Sequence, residues 1–182
     1  KGSGKSTVSK YLQDNYNFEP INFKDSLVEE MKQRLPDVLE ELVQSFNDLC
    51  PDFDTREPWT KDSLFNEKPP LMRALMSNYG TEVRRGDDTN YWVNKYLDKV
   101  KDKNRVVTDD VRFWNEYNTV KNNGGIIIRI ERDDVTSGGT HQSETEQNDF
   151  IADFTIKGKA GSHIEIFKQI ESIIDTIQTN ID

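Results

Sequence analysis

The first seven residues carry the clearest chemical signal in the chain. Lys1–Thr7 has the sequence KGSGKST, which is the last part of the phosphate-binding pattern GxxxxGK[ST]. Glycines in this pattern let successive backbone N–H groups approach a phosphate, and the helix that follows points its positive end at the same phosphate. The predicted ATP-binding residues are therefore Gly2, Ser3, Gly4, Lys5, Ser6 and Thr7.

Two side chains of this pattern have separate predicted roles. The Lys5 ammonium is expected to reach the β- and γ-phosphates, where it would take part in catalysis. The Ser6 hydroxyl is expected to hold Mg²⁺. The first glycine of the pattern and the strand before it would precede Lys1, so we expect about ten residues of the fold to be missing there.

A flexible glycine- and serine-rich terminus would explain the glycines alone. Apolar side chains follow at helical spacing, however, at Val8, Tyr11 and Leu12. This spacing favours a phosphate-binding loop that continues into a helix over about Lys5–Tyr16. By itself, such a loop indicates an NTPase or a kinase and selects no substrate.

Composition narrows the class of protein. A chain of 182 residues with 10% aromatic side chains suits one domain with a real core. The net charge of −9 argues against a nucleic-acid polymer as partner. Cys50 is the only cysteine, which excludes an internal disulfide and fits a reducing cytoplasm. The longest apolar run, near Ile126–Ile128, is too short to span a membrane.

Short apolar strands alternate with helical patterns along the chain. The predicted strands are Phe18–Phe23, Arg105–Thr108, Ile126–Ile130 and Ile151–Ile156. Helices are predicted between them and after the last, while Cys50–Lys68, with its prolines, is predicted to be a long loop. This alternation predicts an α/β fold with a doubly wound parallel sheet and helices on both faces.

Acidic and basic side chains are concentrated where these elements end. Asp109 and Asp110 follow the predicted strand Arg105–Thr108, and ligands gather at the carboxyl ends of strands in such folds. Either carboxylate could hold Mg²⁺, and either could instead cap a helix. The arginines that could neutralise transferring phosphate are Arg73, Arg84, Arg85, Arg112, Arg129 and Arg132.

Each basic group has a simpler explanation as well. Arg84 and Arg85 are adjacent on a helix, so only one of them is expected to meet a ligand, and both could be a solvated helix end. Arg129 and Arg132 bracket the entry to the glycine-rich stretch Asp133–Thr140. That stretch could close over ATP and exclude water, or it could be a surface loop.

Four blocks of sequence, in order, resemble the phage-type deoxynucleoside monophosphate kinases. The first is the phosphate-binding loop. The second is Leu71–Arg85 (LMRALMSNYGTEVRR) with Trp92 after it, which resembles the monophosphate-binding segment. The third is Thr108–Glu116 (TDDVRFWNE), and the fourth is Ile128–Arg132 followed by His141, Ser143 and Glu144. Together these blocks and the segments between them cover most of the chain.

The resemblance implies an adenylate-kinase-like P-loop fold in a single domain, 1–182. It implies a helical monophosphate-binding region at 24–104 and a small lid at 131–142 that contains Arg132. From their charge and their place at the entry to this stretch, Arg129 and Arg132 are also predicted to be catalytic. It places Mg²⁺ on Ser6 and Asp110, because Asp110 is the aspartate followed by Val-Arg-Phe. The implied acceptor-binding residues are Lys24, Arg73, Arg84, Arg85, Trp92, Asp110, Arg112, Ser143 and Glu144.

The expected reaction moves a phosphoryl group from Mg-ATP to a deoxynucleoside monophosphate, with small nucleotides as the partners. Animal-type phosphomevalonate kinases have a similar layout and are the nearest enzymatic alternative. A P-loop ATPase or nucleotide-binding switch is the alternative from another class. The arginines Arg73, Arg84 and Arg85 favour a kinase, because a switch has no second phosphate to hold. A homodimer is left open.

Overall fold

The computed structural model describes residues 4–49, 57–132, 146–159 and 163–179. Its helices, in chain order, are α1 (Lys5–Tyr16), α2 (Phe23–Arg34), α3 (Pro36–Leu49), α4 (Lys61–Glu67), α5 (Pro70–Ser77), α6 (Tyr91–Val100), α7 (Trp114–Asn122) and α8 (His163–Thr179). Its strands are β1 (Glu19–Pro20), β2 (Val106–Val107), β3 (Ile128–Arg132) and β4 (Phe154–Gly158). A π-helical segment, Asn78–Arg85, continues α5, and a 3₁₀ turn covers Glu146–Asp149.

The strands form two parallel pairs in the described part of the chain. β1 pairs with β2, and β3 pairs with β4 in a register that sets Ile128 opposite Phe154. Parallel neighbours require a crossover, and the crossover from β1 to β2 contains α2 to α6. The mixed α/β class with parallel strands is confirmed, although helix predominates. One continuous doubly wound sheet stays a prediction.

The chain divides into two compact units. The first unit consists of Lys1–Phe23 and Leu97–Asp182 and holds all four described strands. The second unit is Lys24–Tyr96 and is helical where it is described. It falls inside the helical region predicted at 24–104. None of the described helices is long and apolar enough to cross a membrane.

The core of the first unit joins both strand pairs to α1 and α8. Its buried members are Val8, Leu12, Ile156, Ile166, Ile170, Ile173 and Ile174. Val107 of β2 and Ile130 of β3 pack against this cluster. Burying one isoleucine side chain contributes about 1.5–3 kcal/mol, and Ile156 and Ile170 are fully buried. Because Val8 and Leu12 belong to this core, α1 is held against the strands.

The core of the second unit is built from its helices. Met31, Leu39, Leu64 and Met72 have no exposed surface, and Trp59 and Trp92 pack in the same cluster. The apolar faces predicted from helical spacing in α3, α5 and α6 contribute Leu39, Met72 and Trp92 to this core.

One segment of the second unit corrects the sequence prediction. Cys50–Lys68 was predicted to be a loop, but Lys61–Glu67 forms α4. Thr60 Oγ1 accepts a hydrogen bond from Ser63 N–H, and Ser63 Oγ accepts one from Thr60 N–H, so the helix start is capped on both sides. Leu64 and Phe65 are buried, and this packing supports a helix of only seven residues.

Candidate active site

The first turn of α1 presents the described part of the phosphate-binding pattern. Gly4 lies directly before the helix with φ of 94°, a left-handed conformation that a side chain would strain. Lys5 and Ser6 follow with exposed side chains, and Thr7 is half-buried. The first N–H groups of a helix have no intrahelical partner, so this end carries partial positive charge. Its local geometry suits an anion.

The chain segments that follow β1 and β2 bring polar groups to one edge of this strand pair. Thr108 Oγ1 donates to the carbonyl oxygen of Ile21 at 2.7 Å. The next N–H, of Asp109, donates to Asn22 Oδ1 at 2.9 Å. Because β1 and β2 are parallel, both carboxyl ends lie at the same edge. Asp109 and Asp110, which follow β2, therefore lie at this edge of the strand pair.

The two adjacent carboxylates have different partners. Ser6 Oγ donates to Asp109 Oδ2 at 2.9 Å. Asp110 Oδ1 instead accepts from the backbone N–H of Phe23 at 3.1 Å. Phe23 is the first residue of α2, so Asp110 satisfies one of the N–H groups that a helix start leaves unpaired. The resemblance implies Asp110 as the Mg²⁺ ligand, but the geometry favours Asp109, because that carboxylate contacts Ser6.

Lys5 has one cation and one carboxylate near its ammonium group. Loss of solvation around its ammonium and the nearby charge of Arg112 lower the pKa of Lys5, while Asp109 acts in the opposite direction. Arg112 itself is exposed. We call Lys5, Ser6, Asp109 and Arg112 the first-unit cluster. An anionic ligand would relieve the repulsion between its two cations.

A surface depression in the first unit lies elsewhere. It has a volume of about 400 Å³ and is lined by Asn17, Glu19, Lys103, Asn104 and Arg105. These residues precede or begin β1 and β2, so they mark the amino edge of the strand pair. Ligands of parallel sheets bind beyond the carboxyl ends of the strands. The depression is therefore not the candidate active site.

The second unit holds the basic residues predicted to bind an acceptor. Arg73 is exposed on α5, and Lys24 is half-buried as the second residue of α2. Arg84 and Arg85 are half-buried at the end of the π-helical segment. Apart from Arg112, which lies in the first unit, the described basic acceptor residues thus belong to one unit.

Trp92 belongs to the core of the second unit. Its side chain is 5% exposed, and its Nε1–H donates to the carbonyl oxygen of Gly80 at 2.9 Å. The indole therefore anchors the π-helical segment from inside. This burial argues against the acceptor contact that the resemblance implies for Trp92.

Arg84 is held by a buried carboxylate that the sequence analysis did not single out. Glu30 is 6% exposed, and its Oε1 lies 2.6 Å from Arg84 Nη2. Glu30 also accepts hydrogen bonds from Tyr79 Oη at 2.8 Å and Tyr91 Oη at 2.5 Å. Arg84 Nη2 donates to Tyr79 Oη at 2.9 Å and closes the network. We call these four residues the Glu30 network.

The sequence carries a signal for this network. Phe23, Leu27 and Met31 form the apolar face of α2, and Glu30 falls on the same face at i+3 from Leu27. A carboxylate on a buried face requires partners, because burying an unpaired charge is costly. The partners, on the π-helical segment and α6, are far away in sequence and could not be identified from the sequence alone.

We expect the Glu30 network to make stability depend on acid pH. Burial alone would raise the pKa of Glu30, but the hydrogen bonds from Tyr91 and Tyr79 and the charge of Arg84 outweigh it, so the pKa is lowered. A carboxyl group with a lowered pKa in the folded state stabilises the fold above its unfolded pKa, about 4.3. This stabilisation is lost as the pH falls through the folded value.

Urea unfolding between pH 7 and pH 3 measures this contribution. The free energy of unfolding of the wild type should fall more steeply below about pH 5 than that of Glu30→Gln, which has no proton to bind there. Parallel curves for the two proteins would show that Glu30 does not titrate as described.

Arg129 has a structural contact. Its guanidinium Nη2 donates to the carbonyl oxygen of Phe150 at 2.6 Å and lies 3.3 Å from that of Asn148. Arg129 thus connects β3 to the 3₁₀ turn and to Phe150, which follows that turn. The catalytic role predicted for Arg129 has no support in this contact.

Several predicted site residues lie outside the described residues. These are Gly2, Ser3, Ser143 and Glu144, together with most of the predicted lid, 131–142. Arg132 is described as the last residue of β3, by its backbone alone. Their predicted roles stay predictions.

The described residues contain no group of three or more His, Cys, Asp or Glu side chains that could hold a metal ion. The first-unit cluster offers a divalent cation two hard oxygen donors, Ser6 Oγ and the Asp109 carboxylate. Mg²⁺ is commonly bound in this way, by one or two carboxylates together with water and substrate phosphates. The donor set thus fits a Mg²⁺ ion that arrives with a nucleotide.

Comparison with known proteins shows which family the chain belongs to. Residues 43–153, more than half of the chain, match the family model of deoxynucleotide monophosphate kinase. The chain belongs to this family. It is therefore a kinase, a phosphotransferase that acts on deoxynucleoside monophosphates. The phosphomevalonate kinase and switch alternatives are not favoured.

A viral relative extends the similarity beyond the matched region. A protein of Acanthamoeba polyphaga mimivirus named "Putative deoxynucleotide monophosphate kinase" is 28% identical over 181 residues, covering 96% of this chain and 92% of that protein. The family match starts at residue 43, after the segment with the phosphate-binding pattern. It includes Arg73, Arg84, Asp109 and Arg129, so it spans parts of both units.

Proposed function

We propose that this kinase transfers the γ-phosphoryl group of Mg-ATP to a deoxynucleoside monophosphate and releases ADP and a deoxynucleoside diphosphate. The observation that carries the proposal is the hydrogen bond of 2.9 Å between Ser6 Oγ and Asp109 Oδ2 at the start of α1. It places a serine and a carboxylate beside the lysine of a phosphate-binding loop, the combination that P-loop enzymes use for Mg-nucleotide. The identity of the acceptor, a deoxynucleoside monophosphate, follows from the family.

On the donor side, the first-unit cluster binds ATP. The N–H groups at the start of α1 and the Lys5 ammonium hold the β- and γ-phosphates. Ser6 and Asp109 would hold Mg²⁺, which when bound neutralises charge on the phosphate oxygens. Asp110, by capping α2, keeps the segment after β2 in place. This reassigns the metal ligand from Asp110 to its neighbour.

On the acceptor side, the second unit binds the monophosphate. Its candidate phosphate ligands are Arg73, Arg84 and Arg85. A guanidinium suits this role because its planar fork contacts two phosphate oxygens at once. Arg73 is exposed and available to a ligand. Arg84 is held in the Glu30 network. Lys24 adds a half-buried cation at the first turn of α2.

The chemistry needs alignment more than proton transfer. An oxygen of the acceptor phosphate attacks the γ-phosphorus, a new P–O bond forms, and the bond to the β–γ bridging oxygen breaks as ADP leaves. The acceptor phosphate is already ionised near neutral pH, so no strong general base is required. Lys5 and the arginines neutralise the charge that the transition state spreads over the phosphoryl oxygens.

We also propose that the two strand pairs belong to one doubly wound P-loop sheet. Both pairs are parallel, and both pack against the core of the first unit. Gly4, at the start of α1, is close to β3: a side chain at position 4 would lie 3.8 Å from Ile130. α1 therefore starts beside β3 while it packs on β1 and β2, as a helix that follows a central strand does.

The acceptor requirement tests this function. Full-length protein is incubated with Mg-ATP and one of several acceptors, namely deoxynucleoside monophosphates, ribonucleoside monophosphates or phosphomevalonate, and also with none. We expect ADP and a deoxynucleoside diphosphate to appear together and only when a deoxynucleoside monophosphate is present. Equal ADP release without acceptor would instead indicate an ATPase.

A further inference from the structure

The Glu30 carboxylate is approached by several cationic side chains in an acidic protein. Besides Arg84, two more cations approach the same carboxylate: Arg34 Nε at 3.6 Å and Lys95 Nζ at 3.7 Å from Glu30 oxygens. Three positive charges and one negative charge leave an excess of two. The whole chain has a net charge of −9. Glu30 therefore gathers more positive charge than it neutralises, and an anionic ligand beside it would compensate the rest.

The π-helical segment explains why Arg84 and Tyr79 meet. In a π-helix the backbone hydrogen bond runs from residue i to residue i+5, so side chains five apart lie on one side. Tyr79 and Arg84 are five apart, and the Arg84 guanidinium carbon lies 5.2 Å from the centre of the Tyr79 ring. An ordinary α-helix would place these two side chains on different faces. The π-helical geometry therefore allows Tyr79 and Arg84 to contact each other.

The guanidinium of Arg84 is fixed along one edge. Its Nη2 is bound by Glu30 and Tyr79, and the rings of Tyr79 and Tyr91 flank its central carbon at 5.2 and 5.3 Å. Its Nε is buried and has no hydrogen-bond partner among the described residues. An arginine has five N–H donors, so donors remain for a ligand. A side chain fixed this way loses little entropy on binding.

We propose that Glu30 is a positioning residue for the acceptor phosphate: it holds Arg84, with Tyr79 and Tyr91, in the orientation that contacts that phosphate. This inference rests on the proposed function. It assigns a role to Glu30 and the two tyrosines that goes beyond the family's activity. A purely structural ion pair is the competing explanation, and it predicts effects on stability without an effect specific to the acceptor.

Steady-state kinetics of Glu30→Gln test the proposal. Glutamine keeps an oxygen for the tyrosine hydroxyls but removes the charge that holds Arg84. We expect KM for the deoxynucleoside monophosphate to rise about tenfold, the scale of one charge-assisted contact, with KM for ATP and kcat changed less than about threefold. The matched control is Glu41→Gln, an exposed glutamate on α3, which should leave all three parameters unchanged.

A double-mutant cycle separates positioning from a general structural role. If Glu30 acts through Arg84, adding Glu30→Gln to Arg84→Gln changes the acceptor KM no further. Independent effects that multiply would overturn the proposal. So would equal rises of both KM values in Glu30→Gln, which indicate loss of structure.

Tyr91→Phe gives a second route if Glu30→Gln folds poorly. It keeps the carboxylate and removes one hydroxyl that holds it, so the acceptor KM should rise about threefold with ATP unaffected. An unchanged acceptor KM in Tyr91→Phe and in Arg84→Gln would overturn the proposal while the wild type still phosphorylates deoxynucleoside monophosphates. Absence of that activity in the wild type would instead refute the proposed function.

Discussion

Replacing Lys5 by alanine is expected to lower kcat by at least about 100-fold, the scale of losing one donor aimed at transition-state charge. Lys5 occupies the first turn of α1, directly after the left-handed Gly4. Its positive charge adds to that of the helix end and of Arg112. Charge spreads over the transferring oxygens in the transition state, so the loss should be larger in kcat than in KM for the acceptor.

Lys10→Ala is the matched control for this prediction. Lys10 lies on the same helix, but it is exposed and its ammonium pairs with Asp14 at 3.0 Å. A surface pair of this kind contributes little to stability, so Lys10→Ala should keep near-normal turnover. The measurement is initial rate in a coupled ADP-release assay at saturating acceptor. Turnover of Lys5→Ala within a few-fold of the wild type would remove Lys5 from the donor site.

The second large effect separates two neighbouring aspartates. Asp109→Asn should lower kcat by about 100-fold, because the site loses the charged one of its two oxygen donors for Mg²⁺. Asp110→Asn should keep most of the activity. The amide oxygen of asparagine can still accept the Phe23 N–H, and asparagine caps helices about as well as aspartate.

Calorimetry gives a reading that does not depend on turnover. Asp109→Asn should lose most of the difference in ATP affinity that Mg²⁺ produces, and Asp110→Asn should retain it. The reverse pattern, with Asp110→Asn inactive and insensitive to Mg²⁺, would support the ligand that the family resemblance implies and would contradict the geometry.

Strongly periodic parts of the fold could be predicted from the sequence. The helix predicted over Lys5–Tyr16 is α1 with the same bounds, because its apolar spacing and the loop before it both mark it. The four described strands lie within two residues of their predicted segments. Each predicted segment is a short stretch with an apolar run or a partial alternation, and it lies between helical patterns. Periodicity missed α4, whose two buried side chains, Leu64 and Phe65, are adjacent and show no period.

The candidate site could be predicted only in part, because its contacts depend on the directions in which side chains point. Asp109 and Asp110 are equivalent by sequence position, but neighbouring side chains point in different directions. Only the folded structure shows that Asp109 contacts Ser6. The π-helical segment cannot be recognised from hydrophobic periodicity, because that periodicity assumes 3.6 residues per turn. Without it, the contact of Arg84 with Tyr79 and Glu30 cannot be foreseen. Arg129 was predicted as catalytic from its charge, and its carbonyl contacts emerge only from the fold.

Equilibrium binding to two variants tests most directly the claim that the first unit binds the donor and the second the acceptor. Calorimetry would compare Mg-ATP and a deoxynucleoside monophosphate as ligands of wild type, Lys5→Ala and Arg84→Gln. We predict that Lys5→Ala loses affinity for ATP alone and that Arg84→Gln loses affinity for the monophosphate alone, each by about tenfold or more. Loss of the monophosphate in Lys5→Ala with ATP retained, or loss of both ligands in each variant, would contradict this assignment.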